Sequence, residues 1–289
     1  MGLKGTKLNP QRFDKSQLKF YVILVPLSIF MILPVVYIFS QAFKPLDELF
    51  MFPPRFIVQK PTLKNFQDLW KTASGTGVPM SRYLFNSVII SLVMIGLTIF
   101  LSTITAYALS KKRFRAKETL LNINQVALMF VPVAVMIPKY LVVVRLGLNN
   151  SFLAHILPYL ATPVGLFWVK QFVDGVPDEV IEAARIDGAN DFVILTRIIM
   201  PLIAPALATV VILTFQATWG NVEPSSVYIQ DETIKSFAFY LSTLTDAEST
   251  IAGAGMSAAA ALIMFLPNLI IFAFMQSRVM NTMSHSGIK

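Results

Sequence analysis

Six long apolar stretches, at 20–43, 83–110, 120–144, 151–171, 198–219 and 252–279, constrain this chain of 289 residues more than any other feature. A helix rises 1.5 Å per residue, so about 20 apolar residues cross a hydrocarbon core of roughly 30 Å, and each stretch reaches that length. Hydrophobic residues make up 55% of the chain, and the mean hydropathy is +0.64. A water-exposed surface does not tolerate that balance. Inside lipid every backbone polar group must be satisfied within the structure, and helices of this length do so. The expectation is an all-α integral membrane protein with six transmembrane helices. Pro26, Pro34, Pro132, Pro138, Pro158, Pro163, Pro201, Pro205 and Pro267 fall within the stretches and predict kinked helices.

Cations orient the spans. Lys4, Lys7, Arg12, Lys15 and Lys19 precede the first stretch, and Lys111, Lys112, Arg113, Arg115 and Lys117 follow the second. Both segments are expected on the cytoplasmic side, which with six spans puts both termini there. The cluster at 111–117 reads as a solvated turn touching anionic lipid. The net charge of +8 is thus a topology signal, and no basic stripe suited to nucleic acid accompanies it. Ser40-Gln41-Ala42 after the first stretch has the small-x-small form of a cleavage site, but the apolar run before it is too long for a cleaved leader. The organisation predicted is a basic tail over 1–19, one membrane domain over 20–279 with an inward loop at 172–197, outward loops at 44–82 and 220–251, and a tail over 280–289.

What the chain lacks narrows its function. It has no Cys, which removes thiol catalysis and cysteine metal sites. The central portions of the stretches carry no Asp, Glu, Lys or Arg. Lys139 and Arg145 stand near the outer end of the third, where Lys139 is expected to snorkel, and His155 stands near the outer end of the fourth as an interfacial polar residue. This disfavours a proton-coupled carrier, although a self-sufficient secondary carrier using backbone carbonyls stays open. No phosphate-cradling loop is present, the nearest approaches being 2–7 and 75–77, and no nucleophile–base arrangement or metal cluster speaks for an enzyme. A transporter without a coupling ion or an ATP site must borrow energy from a partner.

The segment from Val176 offers a handle for one. Val176-Pro177-Asp178-Glu179 reads as a helix start, with Pro at the first position and two carboxylates facing the positive end of the dipole. The helix should run to about Asp187, where Gly188 can adopt the left-handed conformation and Asn190 or Asp191 can cap the next helix. Such a rod is roughly 16 Å long. Asp178, Glu182 and Arg185 share one face by spacing, and Val180, Ala183 and Ala184 line another. From helix physics alone the segment is equally an ordinary connector in which Glu182 pairs with Arg185.

The full spacing decides between these readings. Glu182-Ala183-Ala184, three residues, Gly188, nine residues, then Ile198-x-Met200-Pro201 resembles the signature loop of the membrane subunits of binding-protein-dependent ABC importers, with Met200 in place of the usual Leu. Beyond the loop the chain is similar to the shorter membrane subunit of maltose-type carbohydrate importers. Asn86-Ser87, Thr98, 106–110, Pro132, Pro138-x-Tyr140, Phe167-Trp168, Gln171-Phe172, Trp219 and Asn221 carry that similarity. The resemblance implies the type I ABC importer permease fold, with a cytoplasmic coupling helix between spans four and five, in a bacterial or archaeal plasma membrane. It implies a second related permease, two ATPase subunits carrying ATP and Mg, and an extracellular solute-binding protein, with no cofactor and no catalysis on this chain. Its coupling residues would be Glu182, Ala183, Ala184, Arg185, Asp187 and Gly188. The second outward loop would reach the binding protein or sugar through Asn221, Ser225 and Tyr228, with Ser226, Gln230 and Tyr240 nearby. Related subunits end in a Gly-rich, Lys-bearing tail that can lie against the ATPases; the tail at 283–289 here has fewer glycines, and a disordered terminus is the alternative. The solute is a sugar or oligosaccharide on this reading, a non-sugar solute being the alternative.

Overall fold

The computed structural model describes residues 17–71, 77–246 and 251–286. Lys4, Lys7, Arg12 and Lys15 of the basic tail, Gly75, and 287–289 of the last tail lie outside them. Among the described residues the structure is helical, and they divide into two compact units, one from the described parts of 1–69 and 247–262 and the other from those of 70–246 and 263–289.

In the first unit, α1 (Leu18–Phe43) is apolar all round and its side chains from Leu18 to Leu33 are exposed. A helix with no polar face requires lipid or another protein around it. Pro26 and Pro34 lie inside it. The following segment, with α2 (Leu46–Leu49) and α3 (Lys64–Lys71), closes on itself through polar contacts. Asn65 Nδ2 donates to the carbonyls of Ala42 and Lys44 at 3.1 and 2.7 Å, and the buried Lys44 ammonium donates to the Arg55 carbonyl at 2.5 Å. The Glu48 carboxylate accepts from Gln59 N at 2.8 Å.

The second unit is built on α4 (Met80–Lys111). Its buried stripe places small residues, Ser87, Ser91, Thr98, Ser102, Thr103 and Ala106, among larger ones such as Ile90, Met94 and Tyr107, whereas Phe85, Leu92 and Phe100 point outward. Lipid tails are as apolar as Leu, so helices associate where small side chains let backbones approach. Against this stripe pack α7 (Pro163–Asp174) and α11 (Ala204–Trp219). Gly165 of α7 faces Ser102 of α4, where a Cβ would stand in ordinary contact 3.5 Å from Ser102 Oγ but only 2.8 Å from Thr162 Oγ1 at the start of its own helix.

The bends at proline exceed the kinks expected. Three helices are each long and apolar enough to span a membrane, Leu18–Phe43, Met80–Lys111 and Gly253–Gln276, the last within α14 (Ile251–Ser286). The other three stretches are broken pairs. α5 (Lys117–Leu128) meets Pro132–Arg145, which holds α6 (Met136–Arg145), at 110°; Phe152–Tyr159 meets α7 at 49°; and Asp191–Leu202 meets Ala204–Val227 at 83°. Among the described residues the candidate spans, by length and composition, are therefore three, or up to six if each bent pair counts as one. Proline places the breaks, because it lacks an N–H and starts helices more readily than it continues them. Pro132 opens the short turn before α6, Pro163 opens α7, and Pro205 stands in the first turn of α11.

Candidate functional site

The helix expected after Val176 is present as α8 (Asp178–Ile186), with Pro177 one position earlier than predicted, as its N-cap. It stops where a left-handed residue can stop it. Gly188 has φ +83°, its N–H donates to Arg185 O at 3.0 Å, and Ala189 N donates to Ala184 O at 2.9 Å. This pair of bonds is the Schellman termination and satisfies carbonyls that the helix end leaves free. Asn190 then caps α9 (Asp191–Val193) by accepting from Val193 N at 2.9 Å.

The two faces of α8 differ from the expected division. Ile181 and Ala184 turn inward and join a buried cluster with Tyr107, Val169, Val173 and Ile194. Val180 and Ala183 do not share that face and stay outside, where Ile186 is 87% exposed and Phe192 63% exposed. Glu182 and Asp187 are exposed as well. Arg185 bonds Asp191 at 3.4 Å instead of Glu182. The result is a short rod fixed along one side and bare along the other.

Lys111 at the end of α4 and Lys112 just after it add polar ties to that packing, which corrects the reading of these two lysines as part of a solvated turn. Lys111 Nζ donates to Val176 O at 2.5 Å and to Asp178 Oδ1 at 2.7 Å. Lys112 Nζ reaches both Asp191 oxygens at 2.7 Å, and the Tyr107 hydroxyl donates to Asp191 Oδ1 at 3.0 Å. The Lys111 ammonium holds the Asp178 carboxyl below the usual carboxylate range. Arg113 and Arg115 remain exposed. Between rod and α11 the chain takes one wide turn with i→i+5 hydrogen bonds over Ile194–Ile199. It is followed by α10 (Met200–Leu202), and Ile194, Leu195, Ile199 and Ile203 are all buried.

At the other end of α4 the segment after α11 is strapped down. Asn86 Nδ2 donates to Thr233 O and Lys235 O, both at 2.9 Å; Ser87 Oγ accepts from Phe237 N at 2.7 Å; and the Tyr83 hydroxyl donates to Glu232 Oε2 at 2.9 Å. Asn150, at φ 53°, accepts from the Gln230 and Asp231 amides at 3.0 and 2.7 Å. His155 is buried and donates from Nε2 to Ile234 O at 3.0 Å. Lys139 does not snorkel, because its ammonium lies 2.6 Å from Glu223 Oε1 and 4.4 Å over the Tyr159 ring.

Two residues expected on the rim of this loop are inside it. Ser225, on α12 (Glu223–Val227), is fully buried and donates to Ser236 Oγ at 3.1 Å, and Tyr228 is 3% exposed with its hydroxyl on Glu223 Oε1 at 3.3 Å. Tyr240, on α13 (Phe237–Asp246), is also buried. Asn221 by contrast lines a cavity of about 460 Å³, which lies among α4, α7, α11 and the turns before α7. Ser87, His155, Thr162, Thr214, Thr218 and Ser236 supply the polar lining, with Ile90, Met94, Val210 and Leu213 among the apolar walls. Trp219 is absent from this lining and donates its indole N–H to Met264 O at 2.9 Å.

Sequence reading missed Lys111, Lys112 and Tyr107 as clamps, Asn86 as a strap, and the cavity itself. Proximity of the Lys pair to the end of a span was visible. Which acceptor each would find was not. Among the described residues no group of three His, Asp or Glu side chains is placed to hold a metal.

Residues 98–277 match the model of the family described as binding-protein-dependent transport system inner membrane component. A probable ABC transporter permease protein of Bacillus subtilis (strain 168), YurM, is 30% identical over 271 residues, covering 88% of this chain and 87% of its own length. The arabinooligosaccharides transport system permease protein AraQ of the same organism is 26% identical over 282 residues, covering 97% of this chain and 98% of its own. A solved chain of a bacterial ABC transporter involved in the import of the acidic polysaccharide alginate superimposes with a TM-score of 0.78 at 21% identity, covering 93% of this chain and 99% of that one. The fold is thus that of an ABC importer permease, and the chain belongs to the family of inner membrane components of binding-protein-dependent transport systems.

Proposed function

We propose that this chain is one of two related membrane subunits of an ATP-driven saccharide importer, and that residues 177–188 form the handle by which an ATPase subunit moves it. The observation that carries the proposal is the asymmetry of α8. Its inner side is locked to α4 through Lys111 and to the buried cluster through Ile181 and Ala184, while Val180, Ala183 and Ile186 are left uncovered beside Glu182. An exposed apolar patch held this firmly is suited to a partner's groove. A force applied there passes into packed residues and is not absorbed by a loose loop.

The same reading places the rod and the cations at 111–117 in the cytoplasm, with both termini on that side and six spans in the membrane. ATP and Mg belong to two ATPase subunits, and an extracellular solute-binding protein delivers the cargo to the opposite face. Because Ser225 and Tyr228 are buried, contact with that protein falls to the exposed Ser226, Val227 and Gln230, with Asn221 at the cavity behind them. Saccharide cargo is supported by the arabinooligosaccharide relative and the alginate importer.

Ala183→Trp tests the handle. The bulky ring covers the exposed side of α8 without entering the buried cluster, so the transporter should assemble and hydrolyse ATP while substrate uptake falls to background in proteoliposomes. Uptake at the original rate would remove the assignment.

A further inference from the structure

An uncharged lining sets the cavity beside Asn221 apart and, given that the chain serves a saccharide importer, bears on which saccharides pass. We propose that this cavity is a sugar subsite that accepts an uncharged saccharide unit and rejects a carboxylated one. Its volume of about 460 Å³ lies within the range of roughly 300–1,000 Å³ typical of small-molecule sites. No Asp, Glu, Lys or Arg is among its lining residues. Of the charges beside lining residues, Lys139 and Glu223 are spent on each other at 2.6 Å, and Lys235, next to Ser236, is paired with Glu232 at 2.7 Å. A carboxylate entering here would lose its hydration and find no cation to replace it.

Hydroxyl groups are matched instead. Thr162 Oγ1 is buried without a hydrogen-bond partner within the chain, although it lines the cavity. Ser87 Oγ already accepts from Phe237 N, so its proton is available to a guest, and His155 with Nε2–H committed to Ile234 O keeps Nδ1 as an acceptor. Thr214 and Thr218 add further hydroxyls one helical turn apart on α11, and Ile90, Met94, Val210 and Leu213 offer apolar surface to ring C–H groups. A lipid tail in the same space would leave the Thr162 hydroxyl unpaired, at a cost that a sugar hydroxyl avoids.

The test uses the whole transporter, with its own partner subunits, in lipid nanodiscs and without the solute-binding protein, titrated calorimetrically with arabinotriose and with an alginate trisaccharide. The wild-type complex should favour the neutral probe by about 100-fold or more. Thr162→Val, nearly isosteric, should weaken the neutral probe about 5- to 10-fold, and Thr218→Lys should reverse the preference by giving the carboxylate a partner. Equal or tighter binding of the uronate to wild type overturns the proposal, as does binding of neither probe. So does a tightly retained acyl chain in native mass spectrometry, or affinities unmoved by both substitutions. Uptake of saccharides into proteoliposomes with the binding protein present is measured in parallel. If uptake proceeds while the cavity results fail, the subsite is wrong and the importer reading stands; absence of uptake for every saccharide takes both down.

Discussion

The two ends of α4 are held by different chemistry. At Lys111 and Lys112 the clamps are ion pairs with exposed carboxylates, Asp178 and Asp191, and they leave an apolar strip of α8 uncovered. At Asn86 and Ser87 the bonds are buried and neutral, and they close the loop after α11 over its own polar groups. Screened surface pairs of this kind contribute little each, so the rod keeps its place mainly through Ile181, Ala184 and the Gly188 termination. Buried amide bonds lose far more when one partner is removed. The first end leaves an apolar face uncovered, and the second end is closed on itself.

The comparison predicts where substitutions act. Gly188→Val should have the largest effect, because a β-branched residue at φ +83° is strained by about 1–2 kcal/mol or more and the helix end would rearrange. Uptake should be lost with the rest of the protein folded, as read by transport alongside thermal unfolding. Glu223→Gln should follow. It strands the Lys139 ammonium over Tyr159, and the half-buried setting suggests about 1–3 kcal/mol of lost stability, measured as a fall in Tm of the complex. Asn86→Ala leaves the Lys235 carbonyl short of a donor, while Thr233 O keeps the Arg82 Nε–H at 3.0 Å, and should cost about 1–3 kcal/mol, with faster hydrogen exchange confined to the loop over 228–236. An equal loss of transport and stability in Gly188→Val and Asn86→Ala would erase the distinction between the ends.

Asp178→Asn should be the smallest change. The Asp178 carboxyl is depressed from 3.8 by the Lys111 hydrogen bond, so its contribution is fully present above about pH 4 to 5 and disappears as pH falls through the lower native value. Between pH 6 and 8 the variant and the parent should show the same pH dependence of Tm. They should differ only in acid, where the parent alone loses this interaction. A divergence near neutrality would mean that the Lys111–Asp178 pair is more coupled to its surroundings than its exposure allows.

Several features were legible without coordinates because they depend on local chemistry. Gly188 as a helix stop and Asn190 as a cap follow from backbone freedom and a short side-chain acceptor. The long apolar helices α1, α4 and α14 follow from residue type alone. Other features were misread where a residue's role depends on its partner. Lys139 as a snorkelling residue, Lys111 as a lipid-facing cation and Tyr228 as a rim residue were each reasonable from local context. Each is instead tied to a residue far away in sequence, Glu223, Val176 with Asp178, and Asn150 across the backbone bond from its N to Tyr228 O.

By itself, then, the sequence determined that this chain lives in lipid, that it is helical, and that it carries a rod bounded by Pro177 and Gly188, since burial of apolar side chains and backbone dihedral limits act over a few residues. Only the tertiary structure decided which side of that rod is bare, where the broken pairs bend, and that an uncharged cavity opens among α4, α7 and α11. Helix rotation and long-range pairing set those outcomes, and they are fixed by packing among segments far apart along the chain.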